Sequence, residues 1–595
     1  MERHRLNPVA LFSSCYGLIV RKESVDIAHL SWGPEKTLFI RAAVAAHGAM
    51  DNINDNVSLR KILHNVLYSC INYSYFCSRM SRNVDIQPHE GELPSQFAER
   101  VGNAYATYSV QKEKRDKGQF FTPLAISQFM GSLARATDSE SIRILDPGCG
   151  SAILSCSLVE HLVQNNTTLK KINLDLYDTD TVLIPYTEIV LGYLSDWLRS
   201  KGVQIDLTIH QEDFILVNHT YISGTNLFND NIVLYDYIIS NPPYFKLAKD
   251  DARTQCCASI VDGQTNIYAL FMAICSKMLN ESGEMIFITP RSFASGRYFQ
   301  SFRDYLFENT RLCFVHLFNT RKDTFAKDDV LQELVITRFA NSNNGRITIS
   351  HSEGSRDLND PVIKDYPETD ILDPSTSDKV VFLPTDDKDD AILSLFRSWD
   401  GNMEKYDIKI STGPVVAFRI YDYITSDEDP DTVPLYWMHN VVKMLADHPV
   451  NKKDKGQYIK VAPESMHTLL PNKNYILLRR MSSKDDSSRL VAAPYFGNMA
   501  KYKYVGIENK LNYIYRPKGH LRRDETIGLT ALLDSDLFDG YFRTFNGNIN
   551  VSATELRAMP LPPIETIREI GKRIILNNNY SIDYINELVM NYFNI

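Results

Sequence analysis

The segment Ser240-Asn241-Pro242-Pro243-Tyr244-Phe245 places a carboxamide, two prolines and two aromatic rings directly after the apolar run Tyr235–Ile239. An exocyclic amino group on an aromatic ring is a poor nucleophile, because its lone pair is delocalised into the ring. The side-chain oxygen of Asn241 and the backbone carbonyl of Pro242 can each accept one of its hydrogens. That turns the nitrogen toward tetrahedral geometry and exposes the lone pair. Pro242 and Pro243 fix φ and carry no N–H, so the carbonyls stay aimed. Tyr244 offers a face on which the ring can stack. Such a site works by positioning and electrostatics, with in-line attack on a methyl sulfonium and no nucleophile of shifted pKa. Two prolines alone explain why a strand stops; they do not explain Asn241 and Tyr244 on either side.

Three other strand ends carry groups suited to a sulfonium donor. Asp146-Pro147-Gly148-Cys149-Gly150 follows Ile142–Leu145. Its glycines let the backbone turn tightly and approach a ligand, and free amides at the next helix start can meet a carboxylate. It is not a GxGxxG phosphate loop, since position 153 is Ile. Tyr177-Asp178 ends Ile172–Tyr177, where an acid can accept from two ribose hydroxyls; a helix cap would use the same residue. Asp213-Phe214 follows Ile205–His210, where the acid can accept from an adenine amino group and the ring can cover the base. The order and spacing suit a ribose–adenine ligand, and the natural candidate is S-adenosylmethionine.

These ends belong to an alternating pattern. The strands above, with Glu284–Thr289, Leu312–Phe318 and Leu331–Phe339, alternate with helical segments Ile153–Val163, Ile184–Arg199 and Ile267–Leu279. The expected fold is α/β, a mostly parallel sheet covered on both faces, with ligands at the carboxyl ends of the strands. Five parts are expected: a helical region 1–114 that includes the helical spacing of Ser58–Arg82, a catalytic domain 115–345, an acidic connection 346–410, a mixed α+β recognition domain 411–563 entered at Ser411-Thr412-Gly413-Pro414, and a helical tail 564–595.

With 595 residues, 44% hydrophobic and 23% charged, the chain has the composition of a multidomain globular protein. No apolar run approaches membrane-spanning length, and Met1–Glu23 does not read as a signal peptide. Nine cysteines without a CxxC pair suggest buried thiols in a reducing compartment, not a disulfide frame or a zinc site. The formal charge of −9 argues against a general nucleic-acid coat, but charge is unevenly placed. Residues 351–390 hold twelve acids against four bases, whereas 471–523 hold twelve bases against three acids.

The order Gly118-Gln119-Phe120-Phe121-Thr122-Pro123, DPGCG, YD, DF and SNPPYF resembles the gamma class of N6-adenine DNA methyltransferases of restriction–modification systems, including the Eco57I-like family. The resemblance covers about 115–340 motif by motif. It implies a Rossmann-like, S-adenosylmethionine-dependent domain, with cofactor roles for Thr122, Pro123, Asp146, Gly148, Gly150, Asp178, Asp213 and Phe214. It implies catalytic roles for Asn241, Pro242, Pro243 and Tyr244, and stacking of the extruded base by Phe325 with Tyr244 and Phe245. Phe542–Ser552 and Leu556–Pro562 resemble the closing part of the family's target-recognition region.

Adenine N6 lies inside the duplex, so the base must rotate out of the stack, which costs a few kcal/mol. Lys501, Lys503, Arg516, Lys518, Arg522 and Arg523, interleaved with tyrosines, are candidates to hold double-stranded DNA meanwhile. A solvated basic face is the competing reading. Cytosine C5 chemistry is disfavoured because the chain lacks a Pro-Cys pair, and cytosine N4 chemistry because Asn241, not Ser, precedes the prolines. Protein-glutamine N5-methylation, which also uses NPPY, and a catalytically inactive DNA-specificity protein remain alternatives. No PD-(D/E)xK arrangement is evident in the first hundred residues. The expectation is therefore a modification enzyme needing no metal, with a separate restriction endonuclease as partner, in the nucleoid-associated cytoplasm of a bacterium or archaeon.

Overall fold

The computed structural model describes residues 86–108, 121–223, 232–261, 265–319, 333–372, 379–482, 486–497 and 501–595. The expected helix Ser58–Arg82 and Phe325 lie outside the described residues.

The first unit opens with α1 (Pro94–Tyr108) and α2 (Leu124–Ser132). Then come β1 (Ser141–Asp146), α3 (Ile153–Asn165), β2 (Lys171–Tyr177), α4 (Ile184–Ser200), β3 (Gln204–His210), α5 (Phe214–Asn218) and β4 (Tyr235–Ser240). The chain continues through α6 (Ile267–Ser276), β5 (Leu279–Pro290), α7 (Gln300–Asn309), β6 (Arg311–Phe318), β7 (Leu334–Ala340), β8 (Arg346–Ser352) and β9 (Val362–Pro367).

These nine strands form one sheet in the order β9-β8-β6-β7-β5-β4-β1-β2-β3. Strands β3, β2, β1, β4 and β5 are mutually parallel. Strand β7 runs antiparallel between β5 and β6. The helices pack as two groups, with α1 and α2 on α3, and α5 and α7 on α6. The central strand β5 shows the result: Met285–Ile288 are fully buried in succession, where a one-sided strand would alternate. Because chain order reverses between β1 and β4, a crevice opens at their carboxyl ends.

The stretch expected as an acidic connection behaves otherwise. Its first part forms β8, parallel to β6, and β9, antiparallel to β8, so the catalytic sheet runs on to residue 367. Strand β9 is an edge strand that exposes all but Tyr366. Its Lys364 pairs with Asp387 at 2.6 Å. The later part begins the second unit: Phe382, Ile392, Phe396 and Met403 join the core built from the carboxyl-terminal helices.

That unit contains α8 (Asp387–Arg397), β10 (Lys409–Thr412), β11 (Ile424–Thr425), β12 (Thr432–Tyr436), β13 (Tyr458–Lys460), β14 (Leu469–Pro471), β15 (Tyr475–Arg479), β16 (Ala492–Tyr495), β17 (Tyr504–Ile507) and β18 (Leu511–Tyr515). Helices α9 (Arg523–Asp534), α10 (Asp536–Phe545), α11 (Ala553–Ala558), α12 (Ile564–Asn577) and α13 (Ile582–Phe593) follow. The strands form a four-stranded sheet, β10-β18-β15-β16, and a five-stranded one, β11-β13-β12-β17-β14. In α12, buried Ile567, Ile570 and Ile574 recur at helical spacing and face this core.

Candidate active site

The glycine turn after β1 is fixed by its neighbours. Gly150 has φ 54° and Ala152 φ 63°, so the chain passes twice through the left-handed region before α3 begins. Glycine makes the first of these easy. The Gly150 amide donates to Asp178 Oδ2 at 3.0 Å, and the Cys149 amide to the Tyr177 carbonyl at 3.0 Å. Asp178 Oδ1 accepts from the Asp180 amide at 2.8 Å. One carboxylate thus joins the ends of β1 and β2 while lining the cleft. Its burial raises its pKa above the ordinary carboxylate value.

Asp146 takes a different position. It is fully buried behind the turn, where Ser155 Oγ donates to its Oδ2 at 2.7 Å, and it is not among the residues lining the cleft. Burial pushes its pKa up to about 7. Cys149 is also buried, and its thiol is pushed well above its ordinary value, which leaves it packing and no thiolate chemistry.

At the end of β3, Asp213 caps α5, accepting from the amides of Ile215 at 3.0 Å and Leu216 at 3.1 Å. Its other oxygen lies 3.6 Å from Arg253 Nη1. Arg253 also stands over the Phe245 ring at 5.7 Å, so one guanidinium spans the ends of β3 and β4. Phe214 packs between Tyr177 and Phe271, with centroids 5.2 and 5.1 Å away.

At the end of β4, Asn241 Nδ2 donates to Thr122 Oγ1 at 3.0 Å. Thr122 therefore holds the carboxamide from a segment more than one hundred residues earlier in the chain. The Tyr244 hydroxyl donates to Asn241 Oδ1 and also reaches the Ile288 carbonyl of β5 at 2.8 Å. The Tyr244 ring, expected as a stacking platform, is instead buried and set edge-on to Tyr268. Phe245, the other ring expected to stack there, lines the cleft.

The cleft has a volume of about 410 Å³. It brings together Gly148, Gly150, Asp178, Asp213, Phe214, Asn241, Pro243 and Phe245. Thr122 and Pro123 are not among its lining residues; Thr122 touches Asn241 and Pro123 leads into α2. Sequence reasoning missed Phe121, Glu212, Arg253 and Phe271, which also line it. It missed Tyr105 too, whose hydroxyl donates to Asp180 Oδ2 at 2.8 Å. Phe121 lies within GQFFTP and Glu212 directly before Asp213-Phe214; Arg253, Phe271 and Tyr105 carry no local signal, because they reach this region from elements with no motif.

The family model described as Eco57I restriction-modification methylase matches residues 154–325. The Type II methyltransferase M.BsuBI of Bacillus subtilis is 30% identical over 490 residues, covering 81% of this chain and 95% of that protein. The chain belongs to the Type II restriction–modification methyltransferases. M.PstI of Providencia stuartii is 29% identical, covering 77% of this chain and 89% of its own. Among solved structures, the type IIG restriction endonuclease BpuSI aligns at a TM-score of 0.42 with 13% identity, covering 95% of this chain and 72% of that one.

A restriction–modification methyltransferase acts on DNA, and the basic stretch 471–523 was the sequence candidate for holding it. The structure divides its cations. Arg516, expected to touch DNA, is largely buried and pairs with Glu525 at 2.7 Å; Arg568 meets the same carboxylate at 2.7 Å. Its surroundings are a packed ion cluster, so it is a structural group. Arg489 is fully buried, donating to Ser482 Oγ at 3.0 Å and Asn546 Oδ1 at 2.7 Å. Lys501, Lys503, Lys518, Arg522 and Arg523 are exposed. Of these, Lys501 pairs with Glu428 at 2.7 Å and Arg522 with Asp524 at 2.8 Å. Among the described residues, no helix is long and apolar enough to cross a membrane, and no group of three or more His, Cys, Asp or Glu side chains could hold a metal ion.

Proposed function

We propose that this Type II methyltransferase transfers a methyl group from S-adenosylmethionine to the N6 amino group of adenine in double-stranded DNA, after rotating the base out of the helix. The observation that carries the reading is the convergence of Asn241, the glycine turn, Asp178 and Asp213 on one cleft at the crevice between β1 and β4. The residues fit the donor. Asp178 lines the cleft with a carboxylate suited to ribose hydroxyls. Asp213 and Phe214 suit the adenine, and the turn at Gly148 and Gly150, backed by Thr122 and Pro123, suits the methionine end. When bound, this donor supplies an electrophilic methyl on a sulfonium. Asp146 contributes from behind the turn.

On the acceptor side, Asn241 Oδ1 and the Pro242 carbonyl take the two hydrogens of the amino group. Incoming base displaces the Tyr244 hydroxyl from Asn241 Oδ1. That hydroxyl keeps the Ile288 carbonyl as acceptor, so the exchange leaves no buried donor orphaned. Thr122 keeps the carboxamide oriented throughout, and Phe245 supplies the stacking face. Exposed Lys501, Lys503, Lys518, Arg522 and Arg523 meet phosphates, which set register while base-edge contacts set sequence choice. A separate endonuclease would cut the unmodified site.

Incubation of unmethylated bacterial DNA with methyl-tritiated S-adenosylmethionine tests the reading. Label is expected in N6-methyladenine and to vanish with Asn241→Ala. Label in methylcytosine or in protein glutamine overturns it, as does specific DNA binding without label.

A further inference from the structure

The two units meet at the carboxyl end of β5. Arg291 directly follows Pro290, and its side chain is 5% exposed. Its Nη1 pairs with Glu333 Oε1 at 2.7 Å, and its backbone amide donates to the Glu333 carbonyl at 2.7 Å. Its Nη2 donates to the carbonyls of Arg543 at 2.9 Å and Thr544 at 2.7 Å. Those carbonyls lie in the last turn of α10, where a helix leaves its acceptors unmatched and its dipole favours a cation. Arg291 of the catalytic sheet thus helps cap the carboxyl-terminal end of a helix in the second unit, sharing the Thr544 carbonyl with the Leu383 amide, which donates to it at 2.7 Å.

The turn after α10 seats at the same place. A Cβ at Gly547 would stand 2.9 Å from Arg291 Cγ, so only glycine allows this approach. Asn546 Nδ2 donates to Glu555 Oε2 at 2.8 Å, while Ser295 Oγ donates to Glu555 Oε1 at 3.0 Å. Three residues before Arg291, the Ile288 carbonyl holds the Tyr244 hydroxyl, which also donates to Asn241 Oδ1. Helix α10, Arg291, the end of β5, Tyr244 and Asn241 therefore form one continuous line of direct contacts.

We propose that Arg291 is a positioning residue through which the seating of the carboxyl-terminal unit sets the acceptor side of the cleft. With α10 capped, the end of β5 is held where the Ile288 carbonyl can receive the Tyr244 hydroxyl as the base arrives. With the cap broken, β5 loses that register and Asn241 is presented poorly. The donor side, built on β1 to β3, lies across the crevice and does not depend on it. This rests on the reading of Asn241 as the acceptor-binding group.

Two variants of the full chain test it. Arg291→Met alone leaves the buried Glu333 carboxylate without this partner and risks the fold. Arg291→Met with Glu333→Leu removes both buried charges, which proteins often tolerate, yet still removes the guanidinium from the end of α10. Three quantities are measured: S-adenosylmethionine affinity by calorimetry, affinity for unmethylated duplex DNA by anisotropy, and the single-turnover rate of methyl transfer. For the paired variant, donor affinity is expected within about twofold of wild type and the transfer rate lower by about 10- to 100-fold, the scale of an ångström-sized misplacement. Arg291→Lys, which keeps the charge but not the fork, is expected between the two. A transfer rate equal to wild type overturns the proposal. So does a rate loss matched by an equal loss of donor affinity, which would mean general damage. Wild-type enzyme that fails to methylate adenine defeats the underlying functional reading instead, whatever the variants do.

Discussion

The cleft and the basic stretch 471–523 treat their polar side chains in opposite ways. In the cleft, Asp178, Asp213 and Asn241 each have part of their hydrogen-bonding capacity fixed by neighbours, yet all three line the same space. In the basic stretch, similar-looking cations separate. Arg489 and Arg516 turn inward to carboxamides, carbonyls and acids, while Lys518 faces solvent. The difference follows from what fixes a side chain's direction. Residues just past the carboxyl ends of parallel strands gather beside the crevice because the sheet brings those ends together. A cation in an irregular antiparallel region points wherever its nearest acceptor lies.

The largest test of the contrast is within the cleft itself. Asn241→Ala is expected to lower single-turnover methyl transfer by about 100- to 1,000-fold, the scale of losing one preorganised polar group at the reacting centre. Donor affinity should stay near wild type. Asp178→Ala should do the reverse, weakening donor binding by about tenfold or more through the lost charged hydrogen bonds. Calorimetry and single-turnover kinetics separate the two; both variants losing donor affinity equally would erase the division into donor and acceptor sides.

Next in size is Asp146, buried behind the turn. Its folded-state pKa is raised from the ordinary 3.8 to about 7 by burial. Between those values the folded chain holds a proton that the unfolded chain has released. Folding therefore takes up a proton, and the stability owed to this group is complete at low pH and lost as pH rises through 7. Asp146→Asn has no such slope. The stability of wild type relative to Asp146→Asn should fall between pH 4 and 7, by an amount on the order of a few kcal/mol, as read from denaturant melts. A difference independent of pH would mean that Asp146 is ionised in the fold.

How far the sequence could be read follows the same division. Strands β1 to β6 overlap the apolar runs that suggested them: β5 through continuous burial, and the unburied β3 through the alternation of Ile205, Leu207 and Ile209. Strand β9 left none: an exposed edge strand reads as acidic loop. Asp178, Asp213 and Asn241 were visible from position at strand ends. Arg253 was not, since its role comes from bridging Asp213 and Phe245, a property of the folded arrangement. Which of Tyr244 and Phe245, both candidates to stack, would face the cleft was equally hidden. Adjacent aromatics look interchangeable until packing against Tyr268 and the Ile288 carbonyl decides which one turns inward.

Within the basic stretch, Arg516→Met is expected to destabilise the chain by about 1–2 kcal/mol, because Glu525 is 1% exposed and loses one of its two guanidinium partners. DNA affinity should be unchanged at matched temperature. Denaturant melts and anisotropy read both quantities on one preparation. A loss of DNA affinity with intact stability would place Arg516 at the interface after all.

The smallest expected effect is the most specific. Lys518 is exposed on the segment between β18 and α9. Lys518→Ala should leave stability unchanged and weaken DNA binding only about two- to threefold at moderate salt. The informative readout is the salt slope: each phosphate contact removed should lower the dependence of log affinity on log salt by about one unit. Lys501 and Arg522 should lower it less, because phosphate must first draw them from Glu428 and Asp524, partners at 2.7 and 2.8 Å. The ranking Lys518 above Lys501 and Arg522 is thus a statement about competition between protein acids and phosphate for the same cations. Equal slopes for all three variants would show that the surface pairs hold nothing back, and that exposure alone decides which cation reaches DNA.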